Sequence, residues 1–514
     1  MALLPRKPSE VPRGVFNAVF SWMLKQRIGQ IEHFMQHPQQ VQDEVFRRLM
    51  NDGAKTTWGR DHGYADIRTP EEYRQRVPVQ DYEDVQPLIE RVMKGEQGLL
   101  WPSEIKWFAK SSGTTAARSK FIPVSKEALE ECHFAGGKDL MSLYCYHVPD
   151  TKVFSGRGLV MGGSHQVNKL NEGTYFGDVS AVMMQNMPMA ARFIRTPDLS
   201  IALLDDWEEK IERIVETTLR QNVTHIAGVP TWTIVLIEHL FKETGKNNLL
   251  DIWPNLELYI HGGVSFAPYR KRFKELIPSP DMNYLETYNA SEGFFAIQDH
   301  LDSHDLLLML DYGIYYEFIP VSEFNRNEPR TVGLDGLELG KIYALVISTN
   351  AGLWRYRIGD TIRITSLDPF RVQVAGRIRH FINAFGEEVI VENADRAIEQ
   401  ASAATGALVR EYTAAPIYFE AGEKGGHEWL VEFDTPPESL EAFTEALDRT
   451  LQEINSDYAA KRHKSMALGM PILHAVPHNT FYDWLKRKGK LGGQHKVPRL
   501  ANNREYLEEI LNTT

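Results

Sequence analysis

Four hydroxyls surround one glycine at Ser111-Ser112-Gly113-Thr114-Thr115, with Arg118 and Lys120 close behind. Hydroxyl donors, backbone N–H groups that can form an anion nest, and adjacent cations suit such a loop to gripping a polyphosphate. It is not a Walker A loop, because the G-x-x-x-x-G-K-[ST] spacing is absent. Four further segments carry complementary chemistry. Tyr259-Ile260-His261-Gly262-Gly263-Val264 runs into paired glycines, which allow a flat ligand to approach the backbone closely. Thr287-Tyr288-Asn289-Ala290-Ser291-Glu292-Gly293 offers an aromatic face for a purine and a carboxylate that could hold Mg²⁺. In Trp354-Arg355-Tyr356-Arg357-Ile358-Gly359-Asp360 the acid follows a glycine at the expected start of a strand, a position from which it can accept hydrogen bonds from ribose hydroxyls. The run from Lys486 to Arg499 interleaves lysines with glycines, as in a mobile loop that could place a cation on phosphate.

Each segment taken alone has a plainer reading: a Ser/Thr-rich turn, a tight glycine turn, a strand end with a solvated glutamate, a turn aspartate, a solvated charged face. A serine hydrolase is disfavoured. Gly263-Val264-Ser265-Phe266-Ala267 falls one residue short of a nucleophile elbow, and no His and acid can be assigned to it.

The elements that must position these residues follow from periodicity. The chain reads as helical up to about Gly59, and Thr69-Pro70-Glu71-Glu72 has the chemistry of a helix start. The apolar run Ile105 to Ala109 predicts a strand leading into the hydroxyl loop. Further strands are expected at Val223 to Gly228, Leu256 to Ile260, Met282 to Thr287, Tyr315 to Ile319, Ile342 to Ile347 and Thr361 to Thr365. A helix is expected from Trp232 to Phe241. Such alternation predicts an α/β body whose sheets are covered by helices. After Arg377 the texture changes: a strand at Glu428 to Phe433 and a helix at Glu438 to Ile454 indicate a smaller α+β domain.

At 514 residues the chain is too long for one core. Its 57 basic and 69 acidic residues leave a net charge of −12, which argues against a general nucleic-acid binder. Two cysteines, Cys132 and Cys145, provide neither a disulfide framework nor metal-ligand spacing, as expected in a reducing cytoplasm. The apolar stretch Val15 to Leu24 is too short to span a bilayer and predicts an amphipathic helix docked on the body, so no stable membrane insertion is expected.

In order and combined length these segments resemble the Gretchen Hagen family of auxin-responsive acyl-acid amido synthetases, a branch of the acyl-adenylate-forming superfamily. The likeness also takes in Thr57-Trp58-Gly59-Arg60-Asp61-His62-Gly63, Val77-Pro78-Val79-Gln80-Asp81-Tyr82-Glu83 and Gly228-Val229-Pro230-Thr231-Trp232. It implies a large N-terminal adenylate-forming domain at 1–378 and a mobile C-terminal α+β domain at 379–514, with a hinge in Gly376-Arg377-Ile378-Arg379-His380-Phe381. It further implies that Ser111, Ser112, Thr114 and Thr115 hold the ATP phosphates. Gly262, Gly263, Val264 and Tyr288 would flank adenine, and Ala290 would also belong to the nucleotide site. Ser291 and Glu292 would meet the α-phosphate and Mg²⁺, Asp360 and Arg377 the ribose, and Lys496 the phosphate during reaction. Thr231 and Trp232 would lie near the acyl site.

The family often carries glycine where Ala117 stands; alanine resists a positive φ by about 1 kcal/mol, which bears on whether Lys120 reaches phosphate. The implied activity is ATP-dependent adenylation of an acyl acid followed by transfer to an amine, an amino acid above all. A thioester ligase using coenzyme A or a carrier protein, and a non-catalytic nucleotide-binding relative, are the alternatives. The acid, the amine and the oligomeric state are open from sequence.

Overall fold

The computed structural model describes residues 13–111, 120–161, 167–204, 206–263, 266, 269–323, 326, 328–377, 381–387, 389–418, 425–463, 468–488 and 497–512. Among these the central sheet has eleven strands and two halves. The parallel half runs from Asn283–Ala290 through Leu258–Gly262, Val223–Ala227 and Arg157–Val160 to Arg195–Thr196. The antiparallel half continues from Asn283–Ala290 through Gly293–Gln298, Leu306–Leu308, Phe370–Arg377 and Tyr356–Leu367 to Ile342–Thr349 and Ile314–Pro320.

Strands buried on both faces read as apolar runs, and those of the parallel half do so because helices cover each side. Leu258 and Leu285 join the core beneath Phe134–His147 and the N-terminal helices. Leu159, Val223, Ile226 and Tyr259 join a second core beneath Trp207–Thr218, Pro230–Thr244 and Arg270–Leu276. The helix start expected at Thr69 is observed, with Thr69 accepting from the backbone N–H of Glu72 and Pro70 in the first turn, whereas the helix expected from Trp232 to Phe241 starts two residues earlier, at Pro230, and runs to Thr244. The N-terminal helix Arg13–Lys25 docks on the body through Phe20 against Phe154 and Asn17 to the carbonyl of Thr151 at 2.9 Å, leaving Val19, Trp22 and Met23 outward. No helix among the described residues is long and apolar enough to cross a membrane.

A small sheet beside the body places Trp107–Ser111 antiparallel to Lys120–Val124. The strand begins two residues later than the apolar run Ile105 to Ala109 suggests and extends to Ser111, because the edge pairing with Lys120 carries it on. Ser111 and Lys120 are register partners, so the two ends that flank the hydroxyl loop lie side by side. Beyond residue 381 a three-stranded sheet, Leu408–Ile417, Gly426–Thr435 and Ile472–Val476, has its own cores. Trp429 and Val431 face Val391–Thr405 and Leu440–Ile454, while Leu430 faces Thr480–Arg487 and Glu505–Leu511. Alternate residues of one strand thus serve two layers.

Both cysteines are free and buried; burial lifts the Cys132 thiol to about 12 and also raises that of Cys145. Three buried histidines bear on acid stability. Burial lowers His133 and His225 to about 4 and His261 to about 3, so each is neutral in the folded chain while its unfolded counterpart takes up a proton near pH 6.5. Their contribution is complete above pH 6.5 and is lost as pH falls toward 4, by about 2 kcal/mol per histidine at pH 5. Urea unfolding of His225→Asn at pH 7.5 and pH 5 should show a pH-dependent loss smaller by about that amount than in the parent chain; an identical loss would remove His225 from the account.

Candidate active site

The carboxyl ends of the parallel strands lie along one rim of the sheet. Met161, Gly228, Gly262 and the end of Asn283–Ala290 all lie there, the rim on which ligands bind in open parallel sheets. Gly262 sits in register with Thr287, and a Cβ on Gly262 would lie 2.6 Å from the Thr287 carbonyl oxygen. Gly263 follows with φ +80, a conformation that side chains rarely adopt. The two glycines therefore provide a bare backbone edge, held against the strand that carries Tyr288.

Tyr288 and Asp360 meet across the sheet. The Tyr288 hydroxyl donates to Asp360 Oδ2 at 2.9 Å, and both residues are buried. The residues assigned by resemblance to adenine and ribose thus contact each other directly. Asp360 differs from expectation in its local setting: it lies within the long strand Tyr356–Leu367 rather than at a strand start. The apparent break comes from Gly359, whose φ of +98 accommodates the register shift opposite Ala344 to Val346. Asp360 pairs with Arg377 on the neighbouring strand, which places the backbone of the expected ribose residues side by side.

Ser291 and Glu292 form the two-residue turn between Asn283–Ala290 and Gly293–Gln298, with Ala290 and Gly293 as the closing pair. Glu292 is half-buried beside Tyr356. Burial first, then the Glu292 carboxylate, raises the Tyr356 phenol well above its usual range. The Tyr356 hydroxyl is buried without a hydrogen-bond partner among the described residues, an orphan that a ligand oxygen or water could satisfy. Tyr82 influences the same phenol, accepts from the backbone N–H of Phe121 at 2.9 Å and lies 5.4 Å beneath the Lys120 ammonium. Lys120, at the end of the hydroxyl loop, is therefore tied to the neighbourhood of Glu292 through Tyr82 and Tyr356.

The segment Val77 to Asp81 supplies support that sequence reading did not assign. Gln80 bridges Tyr356 as an added strand, with Gln80 N to Arg355 O at 2.9 Å and Arg357 N to Gln80 O at 2.8 Å. Arg357 grips Asp81 with two bonds of 2.8 and 2.5 Å. Arg355 is buried at φ +46 and satisfies its guanidinium fully: Glu317 takes two bonds at 2.9 and 3.0 Å, Thr331 one, and the carbonyls of Arg74 and Val77 the rest. Thus the Val77-Pro78-Val79-Gln80-Asp81 motif and the Trp354-Arg355-Tyr356-Arg357 motif are one structural unit that holds the strand of Asp360.

Trp232, in the first turn of Pro230–Thr244, is buried with Val235 against Met161 and Val229 in a small apolar cluster that touches the second core through Met161. Val229 lies 3.9 Å from the position of a Cβ on Gly263, so this apolar wall adjoins the glycine edge. Ser112, Thr114, Thr115, Val264, Arg379, His380 and Lys496 lie outside the described residues, as do the side chains of Ser111, Thr231 and Arg377. Among the described residues the structure brings together Gly262, Gly263, Tyr288, Ala290, Ser291, Glu292 and Asp360, with Trp232 along the same rim. Tyr356 and Gln80 were legible only as members of motifs, without a role.

A large α/β body with a smaller α+β domain is the architecture of adenylate-forming enzymes. A GH3.15 acyl acid amido synthetase in complex with 2,4-DB shares it, with a TM-score of 0.63 at 18% identity over 99% of this chain and 97% of that one. A 2-hydroxyisobutyryl-CoA ligase does so with a TM-score of 0.53 at 14% identity over 93% of both chains. The chain belongs to the GH3 family: the family's N-terminal domain matches residues 27–282, its central domain 307–377 and its C-terminal domain 392–505. Similar relatives include an indole-3-acetic acid-amido synthetase, GH3.3, of Arabidopsis thaliana, 23% identical over 93% of this chain and 92% of its own length. Another is a jasmonoyl–L-amino acid synthetase, GH3.5, of Oryza sativa subsp. japonica, also 23% identical, over 93% and 95%.

Proposed function

We propose that this protein is an acyl-acid amido synthetase: it adenylates an acyl acid with ATP and transfers the acyl group to an amine, that of an amino acid, releasing pyrophosphate and then AMP. Residues 1–378 would bind nucleotide and acid, and 379–514 would move between the two steps. The observation that carries this reading is the gathering of the Gly262-Gly263 edge, the Tyr288–Asp360 pair and the Ser291-Glu292 turn along one rim of the sheet. The named amido synthetases among the relatives support the amide outcome over a thioester.

A free carboxylate resists attack because its charge repels nucleophiles and oxide is a poor leaving group. In the first step a carboxylate oxygen of the acid attacks the α-phosphorus, the bond to the bridging β-phosphate oxygen breaks, and pyrophosphate leaves. In the second step the neutral amine nitrogen attacks the acyl carbon, the carbon–oxygen bond to phosphate breaks, AMP leaves and the nitrogen gives up a proton. The bare glycine edge fits a flat adenine, with Tyr288 beside it. Asp360 would orient the ribose by accepting from its hydroxyls. The hydroxyls of residues 111–115 would bind phosphate oxygens, and Lys496 would balance charge as pyrophosphate departs. Glu292 and the orphaned Tyr356 hydroxyl provide a polar corner suited to a hydrated Mg²⁺, which would supply charge neutralisation on the phosphates.

Acid-dependent exchange of labelled pyrophosphate into ATP, assayed over a panel of aromatic and aliphatic acids, tests the first step. Exchange with at least one acid is expected, and none across the panel would sink adenylation. With that acid, Glu292→Ala should slow exchange about a hundredfold, equivalent to about 2.7 kcal/mol, and shift its Mg²⁺ requirement upward. Unchanged Mg²⁺ dependence would remove Glu292 from the metal site.

A further inference from the structure

Lys461 belongs to the helix Ser456–Arg462 of the smaller domain, yet its ammonium sits 4.2 Å from the ring centroid of Trp232 in the large one. The side chain is buried and passes Gly386, where an added Cβ would lie 3.5 Å from Nζ. Asp457, Glu387 and Asp178 face it at longer range, and among the described residues it forms no ion pair. Burial lowers its proton affinity and the three carboxylates partly restore it. A lysine kept only to fasten two domains through an aromatic ring would be outperformed by methionine, which fills the same space without desolvating a charge. Such a buried ammonium, with no ion pair among the described residues, is a binding group awaiting an anion.

Its position says which anion. The apolar wall of Val229, Met161, Val235 and Trp232 starts at the Gly263 edge, and Lys461 closes its far end. The carboxylate that becomes adenylated must lie against the α-phosphate, toward the glycine edge, so it cannot be the partner of a cation beyond Trp232. Resting on the amide-forming reading above, we propose that Lys461 receives the carboxylate of the incoming amine. A residue of the smaller domain would then select amino acids over simple amines.

The test uses the full chain, the panel acid that supports pyrophosphate exchange, and two acceptor pools, the twenty amino acids and their carboxamides. Acceptor-dependent AMP release is followed for the parent chain, Lys461→Met and Lys461→Arg. Lys461→Met should raise the half-saturating amino acid concentration at least tenfold more than it alters exchange, and should erase the preference for carboxylates over carboxamides. Lys461→Arg should retain that preference, which separates charge recognition from a packing defect. Preserved discrimination in Lys461→Met, or equal losses in exchange and in acceptor use, would overturn the proposal. Absence of exchange in the parent chain would instead overturn adenylation itself, and the two failures are thereby told apart.

Discussion

Arg355→Ala should destabilise the fold by about 3–5 kcal/mol, the cost expected when one partner of a buried, hydrogen-bonded ion pair is removed. The loss leaves the Glu317 carboxylate buried without its two guanidinium bonds and strips Thr331 and the carbonyls of Arg74 and Val77 of a donor. Alanine keeps a Cβ, so the positive φ at this position is not relieved and offsets none of the loss. Arg355→Lys should not rescue, because an ammonium cannot reproduce the planar fork that reaches a carboxylate and two carbonyls together. Chemical denaturation followed by circular dichroism reads the effect, and a stability within about 1 kcal/mol of the parent would contradict it. Because the Arg355 guanidinium also holds the carbonyls of Arg74 and Val77, at the start of the segment that pairs with Tyr356 through Gln80, exchange activity should fall even at temperatures where the variant stays folded.

Asp360→Ala should reduce acid-dependent pyrophosphate exchange at least a hundredfold, or about 2.7 kcal/mol of transition-state stabilisation. It removes both the acceptor of the Tyr288 hydroxyl bond and the proposed ribose anchor. Tyr288→Phe separates the two roles. It deletes the same hydrogen bond, and so carries a similar stability cost of about 1–3 kcal/mol, while keeping the aromatic face and the Asp360 carboxylate. Its exchange rate should stay within about tenfold of the parent. If the two variants lose activity equally, the carboxylate serves only to hold Tyr288, and nucleotide recognition must be sought elsewhere.

Much of this site can be read from local chemistry, and the remainder depends on pairings that no local pattern encodes. The helix start at Thr69-Pro70 is written in consecutive residues and the structure follows it, while the helix expected from Trp232 begins two residues earlier because Pro230 suits its first turn. The glycine pair at 262–263 likewise stands at a strand end, where its composition indicates, whereas the strand expected to stop at Thr287 runs on to Ala290 before turning at 291–292. Asp360 shows the limit. Gly359 before it reads as the end of a loop, whereas strand pairing on both sides carries the backbone through the glycine as a bulge. The attachment of Gln80 to Tyr356 and the reach of Lys461 to Trp232 join segments far apart in the chain, and neither residue type announces its partner. The orphaned hydroxyl of Tyr356 becomes visible only once burial is known.

The chemical silence of Cys132 and Cys145 has a practical side. Both thiols are enclosed, and burial keeps both protonated at neutral pH, so alkylating reagents find little thiolate to attack. A single cysteine introduced on an outward position of each domain would therefore accept a fluorophore pair without stripping the native sulfurs first. Distance changes between such dyes, recorded through one turnover, would test and time the proposed swing of the smaller domain.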